Sequence, residues 1–208
     1  MKKTLHAPLK KEDLNDLRTG DVVYYSGIVV TGRDDVHQRV VKEGMKCPVD
    51  LNGLALFHTG PLVRETDTGN YMVALGPTTS IRMEQEESDF IDITGVKLII
   101  GKGAMGPKTA EACKIHGTIH CVYPGGCAVI AAECVKEIGD VKWRELGMPE
   151  CMWVMEVENL GPLIVSIDTK GNNLFEECKE YYKSQKQNYL DYTKAKIRNL
   201  LHNEGEKQ

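Results

Sequence analysis

Three short segments place cationic side chains beside turn residues: TGRDDVHQR, GPTTSIRM and GKGAMG. They carry Arg33, Arg82 and Lys102 respectively. Each segment follows an apolar run and leads into a pattern typical of a helix. Free backbone N–H groups and the positive end of a helix dipole would therefore add to the cations. One such junction suits an anion, and three together suit a small dicarboxylate.

Two residues of these segments could move a proton. The His37 imidazole titrates near neutrality, whereas the Thr78 hydroxyl is a poor base unless nearby cations lower the cost of losing its proton. Asp34 and Thr79 fit ordinary helix caps as well as a site, and Asp34 could also orient a neighbour. The set supports proton abstraction beside a carboxylate, with cations stabilising the charge that develops.

The segment GKGAMG formally fits the dinucleotide pattern G-x-G-x-x-G. That fingerprint needs an acidic residue about 20 positions further on, and this region reads HCVYPGG. Lys102 is also in the wrong place for a P-loop. We therefore expect Gly101 and Gly103 to form a turn that brings Lys102 and open backbone amides to an anion smaller than a nucleotide.

Composition excludes several classes of protein. The chain has 208 residues, of which 41% are hydrophobic, enough for one core. Its net charge of −4 argues against a nucleic-acid surface. No apolar run is long enough to span a bilayer, and the N-terminus lacks the apolar centre of a secretory signal. Seven cysteines without a CxxC pair then predict reduced thiols, a cytoplasmic location and no metal site in this chain.

Strand-like and helix-like patterns alternate in the centre of the chain, which predicts an α/β fold with mixed sheets. A strand interrupted at Gly27 is expected near the start, then a helix from about Asp34. A hairpin or loop is expected at RETDTGN, two strands around Gly161-Pro162, and a frayed tail over 202–208. Further strands are expected at 54–58, 71–75, 96–100 and 118–123, and helices after GKGAMG, over 127–139 and over 174–201.

Seven segments, in this order, resemble one family: TGRDDVHQR, DLNGLALFHTGPLV, GPTTSIRME, TGVKLIIGKGAMGP, YPGGCAV, ELGMPE and GPLIVSIDTKGNNL. The family comprises the β subunits of L(+)-tartrate dehydratases and the C-terminal domain of class I, iron–sulfur-dependent fumarases. The resemblance implies a three-layer β/β/α swivelling domain over 1–183. A helical, partly frayed C-terminal extension over 184–208 lies outside it.

The resemblance also implies a partner. In this family an α subunit carries a four-iron, four-sulfur cluster on three cysteines, and its open iron takes the substrate hydroxyl. This chain would then be the β subunit of a heterodimer or an α2β2 complex, with no cluster ligand of its own. The implied roles are substrate binding for Arg33, Arg82 and Lys102, proton abstraction for Thr78, a catalytic or orienting role for His37, and support from Asp34, Thr79, Gly101 and Gly103.

The expected reaction is the elimination of water from a 2-hydroxy dicarboxylate, with L(+)-tartrate to oxaloacetate first. Malate to fumarate is the alternative, mesaconate-type substrates stay open, and a non-catalytic carboxylate-binding module is less favoured. The motifs would bind the two carboxylates, which all these diacids share, so the sequence does not distinguish between the substrates. The stoichiometry of the complex, the physiological direction and the role of the C-terminal helix also stay open.

Overall fold

The computed structural model describes residues 1–67 and 69–205, with side chains described as far as residue 197. It divides into two units, Met1–Asn173 and Leu174–Gln208. The second unit is a single helix, Leu174–Gly205, so the helix expected over 174–201 is confirmed and extends further. The end of the tail expected to fray, 206–208, lies outside the described residues. No described helix combines the length and apolar character needed to cross a membrane.

The first unit alternates strands and helices along most of its length. A π-helical turn occurs at Gln38–Lys42, and short 3-10 turns occur at Ser80–Met83 and Arg144–Leu146. The elements are β1 (Lys2–His6), α1 (Lys11–Leu14), β2 (Val22–Thr31), α2 (Asp34–His37), β3 (Ala55–Phe57), β4 (Leu62–Thr66), β5 (Gly69–Ala74), α3 (Glu84–Thr94), β6 (Leu98–Gly101), α4 (Pro107–His116), β7 (Ile119–Val122), α5 (Ala128–Glu133), β8 (Val135–Lys142) and β9 (Met152–Ile167). The helix of the second unit is α6.

Seven strands form one mixed sheet in the order β1-β2-β3-β6-β7-β9-β8. Neighbours from β1 to β7 pair in parallel, whereas β9 pairs antiparallel with β7, with β8 and also with β2. The pairings of β2, β3, β6, β7 and β9 therefore form a closed cycle. Strands β4 and β5 make a separate antiparallel hairpin, as expected at RETDTGN. The mixed α/β class predicted from the sequence is confirmed.

Alternate residues of the central strands enter two different cores. Phe57 and Ile100 face one core, which also contains Trp153. Leu56, between its neighbours on β3, faces the other core, where Phe90 of α3 packs. This alternation follows from the two-residue period of a strand. Both faces of β3 and β6 are consequently buried, which matches their nearly continuous apolar sequences.

The helix expected over 127–139 is wrong in its second half. Helix α5 ends at Glu133, and β8 begins at Val135. Val135 pairs with Val157 of β9, and Val141 pairs with Trp153. Pairing with a strand that lies far away in the sequence has overridden a local helical pattern, as tertiary contacts commonly do.

Two expected strand breaks are absent. Strand β2 runs through Gly27 with two shifts of register against β9, and β9 runs as one strand through Gly161-Pro162. A Cβ atom at Gly161 would lie 2.8 Å from Cδ1 of Tyr24, so this glycine allows the two strands to approach closely. Strand β1 had no counterpart among the sequence predictions.

Candidate active site

The candidate site lies where parallel strands end. Arg33 comes two residues after β2, His58 follows β3, Lys102 follows β6, and Tyr123 follows β7. The carboxyl ends of adjacent parallel strands meet at one edge of a sheet, which is the usual ligand position in α/β folds. The segment before α3, which contains Thr78, joins this edge, because the backbone of Thr59 forms a β-bridge with Pro77.

Asp34 joins the two arginines. Arg82 Nε donates to Asp34 Oδ1 at 3.1 Å, and its Nη2 also contacts this carboxylate. Arg33 Nε lies 4.0 Å from Asp34 Oδ2, and Arg33 Nη2 lies 2.9 Å from Glu150 Oε1. Burial raises the pKa of Glu150, although Arg33 acts in the opposite direction. A diacid would have to share these guanidinium groups with Asp34 and Glu150, or displace the carboxylates.

The backbone of Thr78 is held on both sides. Its N–H donates to the His58 carbonyl at 2.6 Å, and its carbonyl accepts from the Lys102 N–H at 3.1 Å. Thr78 and Arg82 are four residues apart, a spacing that would place them on one helix face, but Thr78 precedes the 3-10 turn, which begins at Ser80, so they do not share a face. Thr79 is the N-cap residue but makes no side-chain cap hydrogen bond. Among the described residues, the Thr78 hydroxyl has no hydrogen-bond partner.

Lys102 is placed by its backbone and by a glycine. It forms a β-bridge with Thr79, and its N–H also lies 3.2 Å from Ser80 Oγ. A Cβ atom at Gly125 would lie 3.1 Å from Lys102 Cδ, so the turn after β7 leaves a path for the lysine stem. Gly103 has a φ of +77°, as expected for the turn GKGAMG. Within the described part of the chain, the exposed Lys102 ammonium has no ion pair.

The sequence predicted free backbone amides at the turn GKGAMG, but the amides at the end of this segment donate hydrogen bonds to a side chain. The carboxylate of Glu84, at the start of α3, accepts from Gly106 N–H at 2.6 Å and from Lys108 N–H at 3.0 Å. It also accepts from the Thr109 hydroxyl at 2.7 Å. The expectation that these amides serve a ligand is therefore wrong at the N-terminus of α4, because the chain supplies the anion itself.

A buried polar network lies below this edge. His37 Nε2 is 3.3 Å from Glu87 Oε2, and His58 Nε2 is 3.1 Å from the same oxygen. His58 Nδ1 is 3.0 Å from Ser80 Oγ, and His120 Nε2 is 3.2 Å from that hydroxyl. All five residues are at most 1% exposed. His37, expected to be catalytic or orienting, thus faces the interior, where its ring stacks on Phe90.

Burial and charge act in opposite directions on this network. Burial alone would lower the pKa of His37, but the charge and hydrogen bonding of Glu87, together with the Arg33 carbonyl and the charge of Glu86, outweigh burial and raise that pKa. Burial alone would raise the pKa of Glu87, but the two histidines lower it well below its ordinary value. Burial, together with the charge of His58, lowers the pKa of His120 to about 3. The pair of His37 and Glu87 therefore favours its charged form, and His120 stays neutral.

The structure thus links all the residues singled out in the sequence to one edge, either directly or through the backbone. Sequence reasoning missed Ser80, Glu84, Glu87, His58 and Glu150. Their segments were noted, but nothing in a local pattern tells a buried carboxylate on an acidic helix from its solvated neighbours.

The described residues contain no set of cysteines that could hold an iron–sulfur cluster. All seven cysteines are free. The one group of three close metal-ligating side chains found in the described chain is His37, His58 and Glu87, which includes no cysteine. These residues do not fit a cluster.

Fold and site define a class of small α/β modules that present cations to an anion at the ends of parallel strands. The chain belongs to the fumarase C-terminus family, which matches residues 2–178. It is 54% identical to the L(+)-tartrate dehydratase subunit beta of Escherichia coli K12, over 88% of this chain and 90% of that protein. The putative L(+)-tartrate dehydratase subunit beta of Methanocaldococcus jannaschii is 40% identical, over 81% and 89%.

A longer relative contains the same region. The putative fumarate hydratase class I of Geobacillus stearothermophilus is 39% identical over 85% of this chain, which corresponds to 34% of that protein. The family resemblance inferred from the seven segments is confirmed.

Proposed function

We propose that this chain is the β subunit of a hydro-lyase that eliminates water from a 2-hydroxy dicarboxylate, with L(+)-tartrate to oxaloacetate as the main reaction. The observation that carries the proposal is 54% identity to a tartrate dehydratase β subunit, over 88% of this chain and 90% of that protein. Dehydration of malate to fumarate is the second candidate, because a putative class I fumarate hydratase contains a region 39% identical to this chain.

Arg33, Arg82 and Lys102 are proposed to bind the two carboxylates. An arginine can hold a carboxylate with two parallel hydrogen bonds, and an ammonium group adds a point charge. When the proton on the carbon beside a carboxylate leaves, negative charge spreads into that carboxylate. Cations already in place stabilise this charge without reorganising.

Thr78 is proposed to remove that proton. Two backbone hydrogen bonds fix its position, and its hydroxyl is not engaged by any other described residue. The exposed Lys102 ammonium, on a segment joined to Thr78, lowers the cost of forming the alkoxide. Asp34 orients the arginines, while Thr79, Gly101 and Gly103 shape the turn. His37, which is buried, is proposed to orient Arg33 through the Arg33 carbonyl oxygen, 2.8 Å from His37 Nδ1.

A partner α subunit is proposed to carry a four-iron, four-sulfur cluster, since the described residues of this chain offer no cysteine set for one. The cluster supplies a Lewis acid for the leaving hydroxide. The proposed complex is a heterodimer or an α2β2 assembly in the cytoplasm. We also propose the three-layer β/β/α arrangement for residues 1–183, supported by the two cores on the faces of β3 and β6, with 184–208 as an extension.

The test is an anaerobic assay of the full chain alone and co-produced with its cluster-bearing partner, with L-tartrate and L-malate offered in parallel. Activity is expected only when both chains are present, and more with L-tartrate. Greater activity with malate would favour the second candidate. Inactivity with both diacids, in a complex whose cluster is intact, would refute the hydro-lyase.

A further inference from the structure

The Glu87 carboxylate is fully buried next to the candidate site. Its side chain is 0% exposed, and its Oε2 atom lies between the Nε2 atoms of His37 and His58. At 3.3 and 3.1 Å the two nitrogens do not complete hydrogen bonds to this carboxylate, so the contacts are mainly ionic. A buried carboxylate needs either a proton or a compensating positive charge.

The protonation of His37 follows from its two neighbours. His37 Nδ1 lies 2.8 Å from the Arg33 carbonyl oxygen, which can only accept, and Nε2 faces the Glu87 carboxylate. A neutral imidazole has one N–H and would turn a lone pair towards one of these oxygens, whereas an imidazolium offers an N–H to each. His37 as imidazolium and Glu87 as carboxylate make a pair with no net charge.

The pair is connected to the loops of the site on both sides. On one side His37 contacts the carbonyl group of Arg33. On the other side Glu87 contacts His58, whose carbonyl accepts the Thr78 N–H at 2.6 Å. His58 Nδ1 also contacts Ser80 Oγ, which accepts the Lys102 N–H at 3.2 Å. The segments that carry Arg33, Thr78 and Lys102 are thus all anchored to one buried pair.

A bound divalent cation, in place of a proton on His37, is the alternative source of positive charge for the buried Glu87 carboxylate. The ligand atoms of His37, His58 and Glu87 lie within 4.8 Å of one another. A structural zinc ion takes four ligands, whereas this group of described residues supplies three. A divalent ion with these ligands would also leave a net positive charge in the interior. The proton satisfies the group without that cost.

We propose that Glu87 is a positioning residue, which pairs with a protonated His37 to form a buried ion pair that holds the Arg33, Thr78 and Lys102 segments in register. Its effect on turnover rests on the proposed hydro-lyase function. The ion pair itself does not rest on that function, and the two are tested separately.

The first experiment measures the ion pair in the isolated full chain. Nitrogen-15 NMR of the histidine side chains distinguishes an imidazolium from a neutral ring, and contacts with the Phe90 ring assign His37. We expect His37 to be doubly protonated near neutral pH, and to become neutral in Glu87→Gln but not in Asp89→Asn, which alters an exposed carboxylate of the same helix. A neutral His37 in the wild-type chain, or one equivalent of bound metal by elemental analysis, would overturn the proposal.

The second experiment measures turnover in the complete complex. Glu87→Gln is expected to lower kcat/KM on the order of 100-fold, because small displacements of positioned groups have effects of this size. It should also move the alkaline limb of the pH profile to lower pH, because His37 then loses the negative charge of Glu87 and keeps that of Glu86, with the His58 ring centroid 5.3 Å away. Asp89→Asn should leave both unchanged.

A loss of kcat/KM that is uniform with pH would indicate a structural role and count against positioning by the ion pair. An unchanged kcat/KM in the Glu87→Gln enzyme would also count against positioning by the ion pair. If the wild-type complex acts on neither diacid, the proposed function fails, but the NMR result still decides the ion pair.

Discussion

Replacing Glu84 by alanine should destabilise the Met1–Asn173 unit, because this side chain fills the N-terminus of α4. The two short bonds from the Gly106 N–H and the Thr109 hydroxyl have buried donors. The Thr109 N–H is also buried but lies further away, at 3.4 Å, and the Lys108 N–H is only partly buried. Leaving a buried donor unsatisfied costs about 1–3 kcal/mol, so the alanine variant should lose about 2–6 kcal/mol of unfolding free energy. Glu84→Gln keeps one acceptor oxygen and should lose about 1–2 kcal/mol.

Urea unfolding followed by tryptophan fluorescence measures this loss. Both tryptophans, Trp143 and Trp153, lie in the first unit, so the signal reports that unit and not α6. With a urea slope of about 2 kcal/mol/M, the alanine variant should shift the midpoint by about 1–3 M. Glu111→Ala removes an exposed carboxylate from α4, the helix whose N-terminus Glu84 contacts, and should change stability by less than about 0.5 kcal/mol.

The reasoning fails if Glu84→Ala costs no more than Glu111→Ala, because the carboxylate would then not anchor α4. It also fails if glutamine and alanine cost the same, since the remaining acceptor oxygen would then contribute nothing. In the assembled enzyme, Glu84→Ala should also raise KM, because α4 follows the turn that carries Lys102.

Three further predictions concern the site and its acid sensitivity. Thr78→Ala should lower kcat by about 10²–10⁴-fold with little change in KM; steady-state kinetics that show a higher KM at unchanged kcat would contradict its role. Gly101→Ala would place a Cβ atom 1.8 Å from Ser80 Oγ, so we expect a loss of about 1–3 kcal/mol by urea unfolding, and an unchanged midpoint would be inconsistent with this packing. Because burial and the charge of His58 lower the pKa of His120 from 6.5 to about 3, the unfolded chain binds a proton that the folded chain does not. Stability should therefore fall as the pH drops from 6.5 towards 3, by up to about 1.4 kcal/mol per pH unit, and a flat urea midpoint across this range would exclude that effect.

Local patterns predicted the central strands well because these are buried on both faces. The runs 54–58, 96–100 and 118–123 are apolar and bounded by turns. Strands β3 and β7 lie within their runs, and β6 begins in its run and ends one residue beyond it. Strand β8 could not be predicted in the same way. Its pattern resembles the end of α5, and only its pairing with β9 decides that it is a strand.

The candidate site shows the same limit. Turn and charge patterns identified Arg33, Arg82 and Lys102, because cations beside glycine turns are local features. They did not reveal that Glu84 occupies the amides of α4 or that Glu87 is buried, since α3 carries several acidic residues and only tertiary packing distinguishes them. In this structure, carboxylates of the protein itself therefore occupy part of the site. Asp34 contacts Arg82, Glu150 contacts Arg33, and Glu84 accepts from the backbone amides of α4.

The closed cycle of strands has a consequence for the order in which the chain can fold. Strand β2 lies near the N-terminus, but its partner β9 is Met152–Ile167, and Val22 pairs with Ile164. Pairings so distant in sequence give slow folding, because a long loop must close before they form. During synthesis, which proceeds from the N-terminus, β2 presents a free edge until most of the chain has left the ribosome. Such an edge can pair with other chains, so this protein should depend on chaperones most while β9 is still being made.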